Sequence, residues 1–186
     1  NVLSARGHAC VVAVPAGRET LSVVHQPLFV PATFAEALAQ PSLFPDGRPA
    51  DVIHAWTPRE VVRKFVLAYQ RLLPAPARVI VHLEDNEEFL IERFTGKPLA
   101  ELRAAGPAEL AALLVDSLPH PWRHRNLLRV ADGVTVIVDS LRRFVPPHEP
   151  VQVLPPGIDF EQYHPQPADP ALRRQFGLRD GEKVIV

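Results

Sequence analysis

The stretch Arg78-Val79-Ile80-Val81-His82-Leu83-Glu84-Asp85-Asn86-Glu87-Glu88 decides the fold. Val79, Ile80 and Val81 form a short unbroken apolar run of β-branched residues, the pattern of a strand covered by helices on both faces. Within one residue the chain then turns to imidazole and carboxylate. Open parallel sheets bind ligands outside the carboxyl ends of their strands. His82, Glu84 and Asp85 are therefore the first functional candidates.

Upstream, Asp51-Val52-Ile53-His54 reads as the preceding strand, and Thr57-Pro58-Arg59-Glu60 as a helix start. Thr57 is placed to cap it, Pro58 to fill the first helical position and Glu60 to close a capping box. Val61, Val62, Phe65, Val66, Tyr69, Leu72 and Leu73 make one apolar stripe, and the helix ends before Pro74. Strand, helix and strand from Asp51 to His82 have the length of one βαβ unit, which implies parallel strands. Downstream, residues 87–93, 99–105 and 108–118 read as helical pieces separated by Gly96, Pro98, Gly106 and Pro107, and a further helix runs to about Val130. Val134 to Val138 is a strand, with Asp139 and Ser140 capping a short helix after it, and Val151 to Leu154 is another strand. Toward the amino terminus, residues 1–8 read as a helical turn closed by Gly7, leading into a buried strand from Ala9 to Val14. Leu21 to Val24 reads as a short strand, and Thr33 caps a helix through Ala39. Asp169 caps a helix from Pro170 to Phe176 that closes at Gly177. The expected fold class is α/β, a doubly wound, Rossmann-like parallel sheet.

Composition narrows the function classes. With 186 residues, 47% of them apolar and 22% charged, the chain can bury a real core. A net charge of −1 gives no global field toward nucleic acid or an anionic membrane. Cys10 is the one cysteine, so no disulfide forms within the chain, and a reducing cytoplasm is the expected compartment. No run approaches the roughly 20 apolar residues of a membrane span, and no secretory signal opens the chain. The chain has no methionine, opens in a helix and stops inside the apolar run Lys183 to Val186. A fragment of a longer protein is therefore expected.

Five segments carry a family resemblance, in order along the chain. Arg6 to Pro15 is similar to the "rGHeVtvvap" segment of family 4 glycosyltransferases of GT-B fold. Asp51 to Trp56 resembles their "DvvHaH", Val79 to Asp85 their "vvtvHd", Ala131 to Ser140 their "aDavitvS", and Val153 to Pro165 their "vipnGvDlerFrP". In that family two α/β domains face each other across a cleft, the first mainly holding the acceptor and the second a nucleotide-activated sugar. The resemblance implies an acceptor-side domain over residues 1–154, an interdomain connection over 155–182 and the first strand of a donor-side domain at 183–186. It implies retaining transfer of a sugar to an acceptor hydroxyl, by a chain that is one half of the catalytic unit. No cofactor or metal is implied beyond the nucleotide-sugar donor itself. The implied partners are that donor, a sugar or lipid-linked acceptor and the second domain of the same chain, with peripheral membrane contact left open.

The resemblance also implies residue roles. His82 matches the family histidine and would contact the transferred sugar or polarise a hydroxyl. Glu84 and Asp85 would hold acceptor hydroxyls, with Asp85 a candidate base. His54 would bind substrate at the end of its strand. Trp56 stands where a second histidine is common, and an aromatic there would stack on an acceptor ring. Gly157 and Asp159 would border the cleft, although Gly157 also reads as a tight-turn residue and Asp159 as a local hydrogen-bond partner. Glu87 and Glu88 read as the solvated first turn of a helix, favoured there by its dipole. The cluster from His120 to Arg129 reads as a solvated basic face, with an acceptor-phosphate or lipid-headgroup site as its alternative. Two other classes compete. A metal-assisted hydrolase would use His54, His82, Glu84 and Asp85, but no H-x-H or HExxH spacing supports it. A non-catalytic binding domain would need an exposed apolar patch.

Overall fold

A computed structural model describes residues 2–21, 28–147, 149–157, 164, 167, 169–179 and 181–182. Two compact units are present, Asn1–Pro155 and Pro156–Val186. The first carries almost all of the regular structure.

Alternation of strand and helix over the first unit produces parallel sheets, as the βαβ reading requires. Four strands, β3 (Val52–Trp56), β4 (Arg78–Leu83), β5 (Gly133–Val136) and β6 (Val151–Val153), pair in parallel in that order. Each connection moves the chain one place the same way. Two more, β1 (Val11–Val14) and β2 (Val30–Thr33), form a separate parallel pair. The helices of the first unit are α1 (Val2–Ala5), α2 (Phe34–Ala39), α3 (Glu60–Leu72), α4 (Glu87–Thr95), α5 (Leu99–Ala104), α6 (Pro107–Leu113) and α7 (His124–Arg129). The second unit contains α8 (Pro170–Gln175), capped by Asp169 Oδ1 on the N–H groups of Ala171 and Leu172.

The core lies on one face of the four-stranded sheet. Ile53 and Ala55 of β3, Val79, Val81 and Leu83 of β4, and Val134 and Val136 of β5 are buried against Val66 and Tyr69 of α3 and Leu127 and Leu128 of α7. The other face is covered unevenly: His82 of β4 is buried there, whereas the edge strand β3 is bare. Val52, His54 and Trp56 of β3 alternate outward and are exposed, as are Arg78 and Gln152, while Ile80 and Thr135 are half-buried. β3 therefore follows the period-two alternation of a half-covered strand. A second apolar cluster, Ile91, Leu99, Leu102 and Leu110, ties α4, α5 and α6 together.

Several local readings change. The capping box at Thr57 does not form. α3 starts at Glu60 behind Arg59, which makes no side-chain cap, and the N–H groups of Glu60 and Val61 donate to the carbonyls of Leu118 (3.1 Å) and Asp116 (2.8 Å). Loop carbonyls thus replace the missing cap. A capping box does form at Thr33, which accepts from Glu36 N–H and is bonded in return by the Glu36 carboxylate. β1 begins at Val11, is half-buried throughout, and leaves Cys10 just before it, half-exposed. Leu21 is not in a strand, and residues 22–24 lie outside the described set, as does the run 183–186. The partner of β1 is instead β2, whose Pro31 is tolerated in the outer strand of a two-stranded pair. Asp139 does not cap the 3₁₀ helix Asp139–Phe144; it lies in its first turn and pairs with Arg142 at 2.7 Å. Gly7 closes α1 as expected, with φ +85° and the His8 N–H donating back to the Leu3 carbonyl.

Backbone clamps set the strand register. Asp132 Oδ2 accepts the Val79 N–H at 2.7 Å, and the Asp132 N–H donates to the Val79 carbonyl at 2.7 Å. The Gln70 side chain grips both backbone groups of Ala77, closing the turn from α3 into β4. Val79 is buried, so losing its acceptor strands a backbone N–H away from water. Asp132→Ala should lower the unfolding free energy by about 1–3 kcal/mol, read as a lower urea midpoint at unchanged slope. Asp132→Asn, which keeps an acceptor oxygen, should recover most of that loss.

Candidate functional site

Strands β3 and β4 end side by side, and the Thr57 N–H extends their pairing by donating to the His82 carbonyl at 2.9 Å. Thr57 then turns into the left-handed region, φ +63°, the one non-glycine residue to do so among the described residues. A β-branched residue there costs about 1–3 kcal/mol and persists only where its surroundings hold it. Thr57 is buried and Pro58 after it is fully buried. The strained turn sends the chain off the strand tip toward α3.

Register brings one row of side chains together across the open face: Trp56 beside His82, His82 beside Thr135, and Thr135 beside Gln152. His82 is 2% exposed and Trp56 47%. The Trp56 ring lies 4.6 Å from the His82 ring, and His54, two residues back on the same face, lies 6.0 Å from it edge-on. Nδ1 of His82 and Oγ1 of Thr135 are 2.7 Å apart. Burial pushes the His82 imidazole below its ordinary pKa, against a smaller upward pull from the Glu84 carboxylate. Burial also lowers His54, with the neighbouring His82 ring adding to the effect. Both rings are neutral at pH 7 and act through hydrogen bonds and ring contact, without charge.

The expected rim of carboxylates takes a different form. Glu84 and Asp85 are exposed, and Asp85 pairs with Arg59 at 3.3 Å. Both lie past the strand tip, and His82 sits one step behind it, buried beside Trp56. Among the described residues, no three histidine, cysteine, aspartate or glutamate side chains converge as metal ligands do. The hydrolase set of His54, His82, Glu84 and Asp85 is thus not assembled. Gly157 is exposed in the second unit, without a positive φ and with nothing within 4 Å of where a Cβ would stand, so no tight turn demands glycine there. Asp159 lies outside the described residues.

Sequence reasoning passed over Glu87. Its position in the first turn of α4 suggested a solvated carboxylate, yet it is 4% exposed. Oε2 meets Arg59 at 3.5 Å, while Oε1 is the one buried side-chain polar atom among the described residues with no partner. Burial pushes its pKa up to about 7, the Arg59 guanidinium offsetting only part of that. Glu88 is better served, bonded by Arg103 at 2.9 Å and Arg125 at 2.7 Å. Arg125 thereby leaves the proposed basic face as a partner of Glu88. His124 is buried and donates its Nδ1 proton to the His120 carbonyl at 2.8 Å. The signal that points to Glu87 is Ile91, one turn on and wholly buried, with which Glu87 shares an inward face.

A cavity of about 510 Å³ lies elsewhere in this unit, between the start of α3, helix α6 and the segment 114–123. Its walls are mainly apolar, and Glu60, His120 and Arg123 stand at its edge. No helix among the described residues is long and apolar enough to cross a membrane. No protein-family model matches the chain, and no curated protein matches it.

The Glu87 carboxyl keeps its proton in the fold to about pH 7, whereas the unfolded chain releases it near 4.5. Its contribution is therefore full below pH 4.5 and is lost as pH rises through 7. Glu87→Gln should accordingly leave stability near wild type at pH 4 and raise it by about 1–3 kcal/mol at pH 8. Chemical denaturation at the two pH values checks this. The depressed histidines act in the opposite sense in both proteins, weakening the fold as pH falls below 6.5.

Proposed function

We propose that this chain is the acceptor-side half of a GT-B glycosyltransferase, moving a sugar from a nucleotide-activated donor to an acceptor hydroxyl. The observation that carries the reading is the meeting of exposed His54 and Trp56 with buried His82 on one sheet face at the carboxyl ends of adjacent parallel strands. Two of the five resembling segments supply those residues, and the pairing of β4 with β5 brings Thr135 from a third.

Transfer with retention asks the protein chiefly for orientation and for polar groups on sugar hydroxyls. Trp56 offers a half-exposed ring of the kind that packs on a sugar face. His82 supplies a neutral imidazole whose proton placement is set by Thr135: a hydroxyl donating to Nδ1 leaves the proton on Nε2, and a hydroxyl accepting from Nδ1 leaves Nε2 an acceptor. Glu84 and Asp85, exposed past the strand tip, are placed for acceptor hydroxyls, although Asp85 is shared with Arg59. Donor-phosphate contacts are assigned to a second domain of the same protein. The expected setting is cytoplasmic, with a sugar or lipid-linked acceptor.

The test is release of nucleoside diphosphate from a panel of nucleotide sugars by the natural full-length protein. His82→Ala should lower kcat by about 10²-fold or more with folding intact, and Trp56→Ala should raise KM for the acceptor while changing kcat less. Wild-type turnover in the His82 variant would leave His82 a merely structural residue and remove the reading's support.

A further inference from the structure

The cavity beside α6 belongs neither to the sheet core nor to the sugar-transfer reading. At about 510 Å³ it falls within the roughly 300–1,000 Å³ of small-molecule sites. Leu110, Leu114, Val115 and Leu118 give it apolar walls, and Trp122 adds an indole. The polar end of that indole is already occupied, since Nε1 donates to the Arg103 carbonyl at 3.2 Å. Val115 and Trp122 are more than half exposed, so the apolar lining reaches the surface.

Charge around the cavity is balanced except at one residue. Lys64 and Asp116 pair through contacts of 2.8 and 2.7 Å and cancel. Arg63 holds the Glu60 carboxylate in two 2.7 Å contacts. Arg123, 3.3 Å from the same carboxylate, is therefore a surplus cation, and its side chain is half-exposed. Beyond the lining, Glu109 faces Lys97, and Arg103 faces Glu88. His120, which also lines the cavity, adds a neutral donor. Its Nδ1 accepts the N–H groups of Trp122 at 3.2 Å and Arg123 at 3.3 Å, which leaves the ring proton on Nε2. Nε2 makes no hydrogen bond among the described residues.

An apolar hollow with one unmatched positive charge at its edge suits an amphiphile with a single negative charge. A carboxylate takes two parallel N–H bonds from a guanidinium, whereas a phosphate monoester brings up to two charges to one cation. Two exposed apolar side chains are too few for the roughly 800 Å² per partner that a stable protein interface covers.

We propose that this cavity binds a medium-chain carboxylate, with the alkyl chain among Leu110, Leu114 and Val115 and the carboxylate on Arg123, with His120 as second donor. The inference is independent of the sugar-transfer reading, because neither His82 nor a nucleotide sugar takes part in it.

The probes are decanoate, decanol and decyl phosphate, each titrated calorimetrically at neutral pH and below micelle formation into the natural full-length protein. Decanoate should bind once per chain and about 10-fold or more tighter than decanol, the margin of one charge-assisted contact. Arg123→Gln should erase that margin by weakening decanoate alone, with decanol held within about threefold. Ala111→Phe, which adds a ring to the lining from an exposed position, should weaken both. Circular dichroism checks that each variant is folded. Absence of saturable decanoate binding overturns the proposal, as does a decanol affinity equal to that of decanoate, or an Arg123→Gln chain that keeps the full preference. So does an Ala111→Phe chain that binds decanoate unchanged, or decyl phosphate binding more tightly than decanoate. Self-association of the protein that Ala111→Phe abolishes with no ligand present would give the hollow to a second copy, and that too overturns it.

Discussion

Lateral register between β3, β4 and β5 is the constraint on which the rest depends. Successive residues of a strand face opposite sides, so a slip of one residue would send Val79, Val81 and Leu83 to the open face and draw Ile80 and His82 into the core. Apolar burial on one side opposes that slip. Backbone grips oppose it too: Asp132 on Val79, Gln70 on Ala77, and the Thr57 N–H on the His82 carbonyl. The same alignment that fills the core therefore places Trp56, His82 and Thr135 in one row. Folding and site assembly are a single event here.

Two buried glutamates at helix starts show how partner number decides ionisation. Burial pushes the Glu60 carboxyl upward, but Arg63 binds it through two 2.7 Å contacts and Arg123 adds a third, so its pKa ends below the usual value. Glu87 has the same residue type and similarly little exposed surface, yet only one guanidinium at 3.5 Å, shared with Asp85. Its pKa rises instead. Burial penalises both charges, more heavily at Glu87, and the guanidinium contacts outweigh it only at Glu60.

The parallel α/β architecture was legible because it rests on local period and length: the βαβ unit from β3 to β4, the Thr33 and Asp169 caps and the Gly7 closure all follow from neighbouring residues. What escaped depended on distant chain. Thr57 cannot serve as a cap because β-sheet pairing with His82 holds its backbone. Pro31 argues against a strand until an outer position removes the need for its N–H. Val79 to Val81 look like a doubly covered strand, whereas β3 beside them alternates and exposes one side. The face shared by His54, Trp56 and His82 follows from spacing once strand register is known. The inward face that Glu87 shares with Ile91 is fixed by the packing of α4 on Leu99 and Leu102.

The start of α3 carries a consequence for assembly order. Its first N–H groups are answered by carbonyls of Asp116 and Leu118, far downstream, with no side chain of its own to stand in. Until that later segment arrives, the opening turn has solvent alone for a partner and is free to fray. Growth of this helix from its carboxyl-terminal turns, with the opening turn locking last, is the sequence of events such wiring favours.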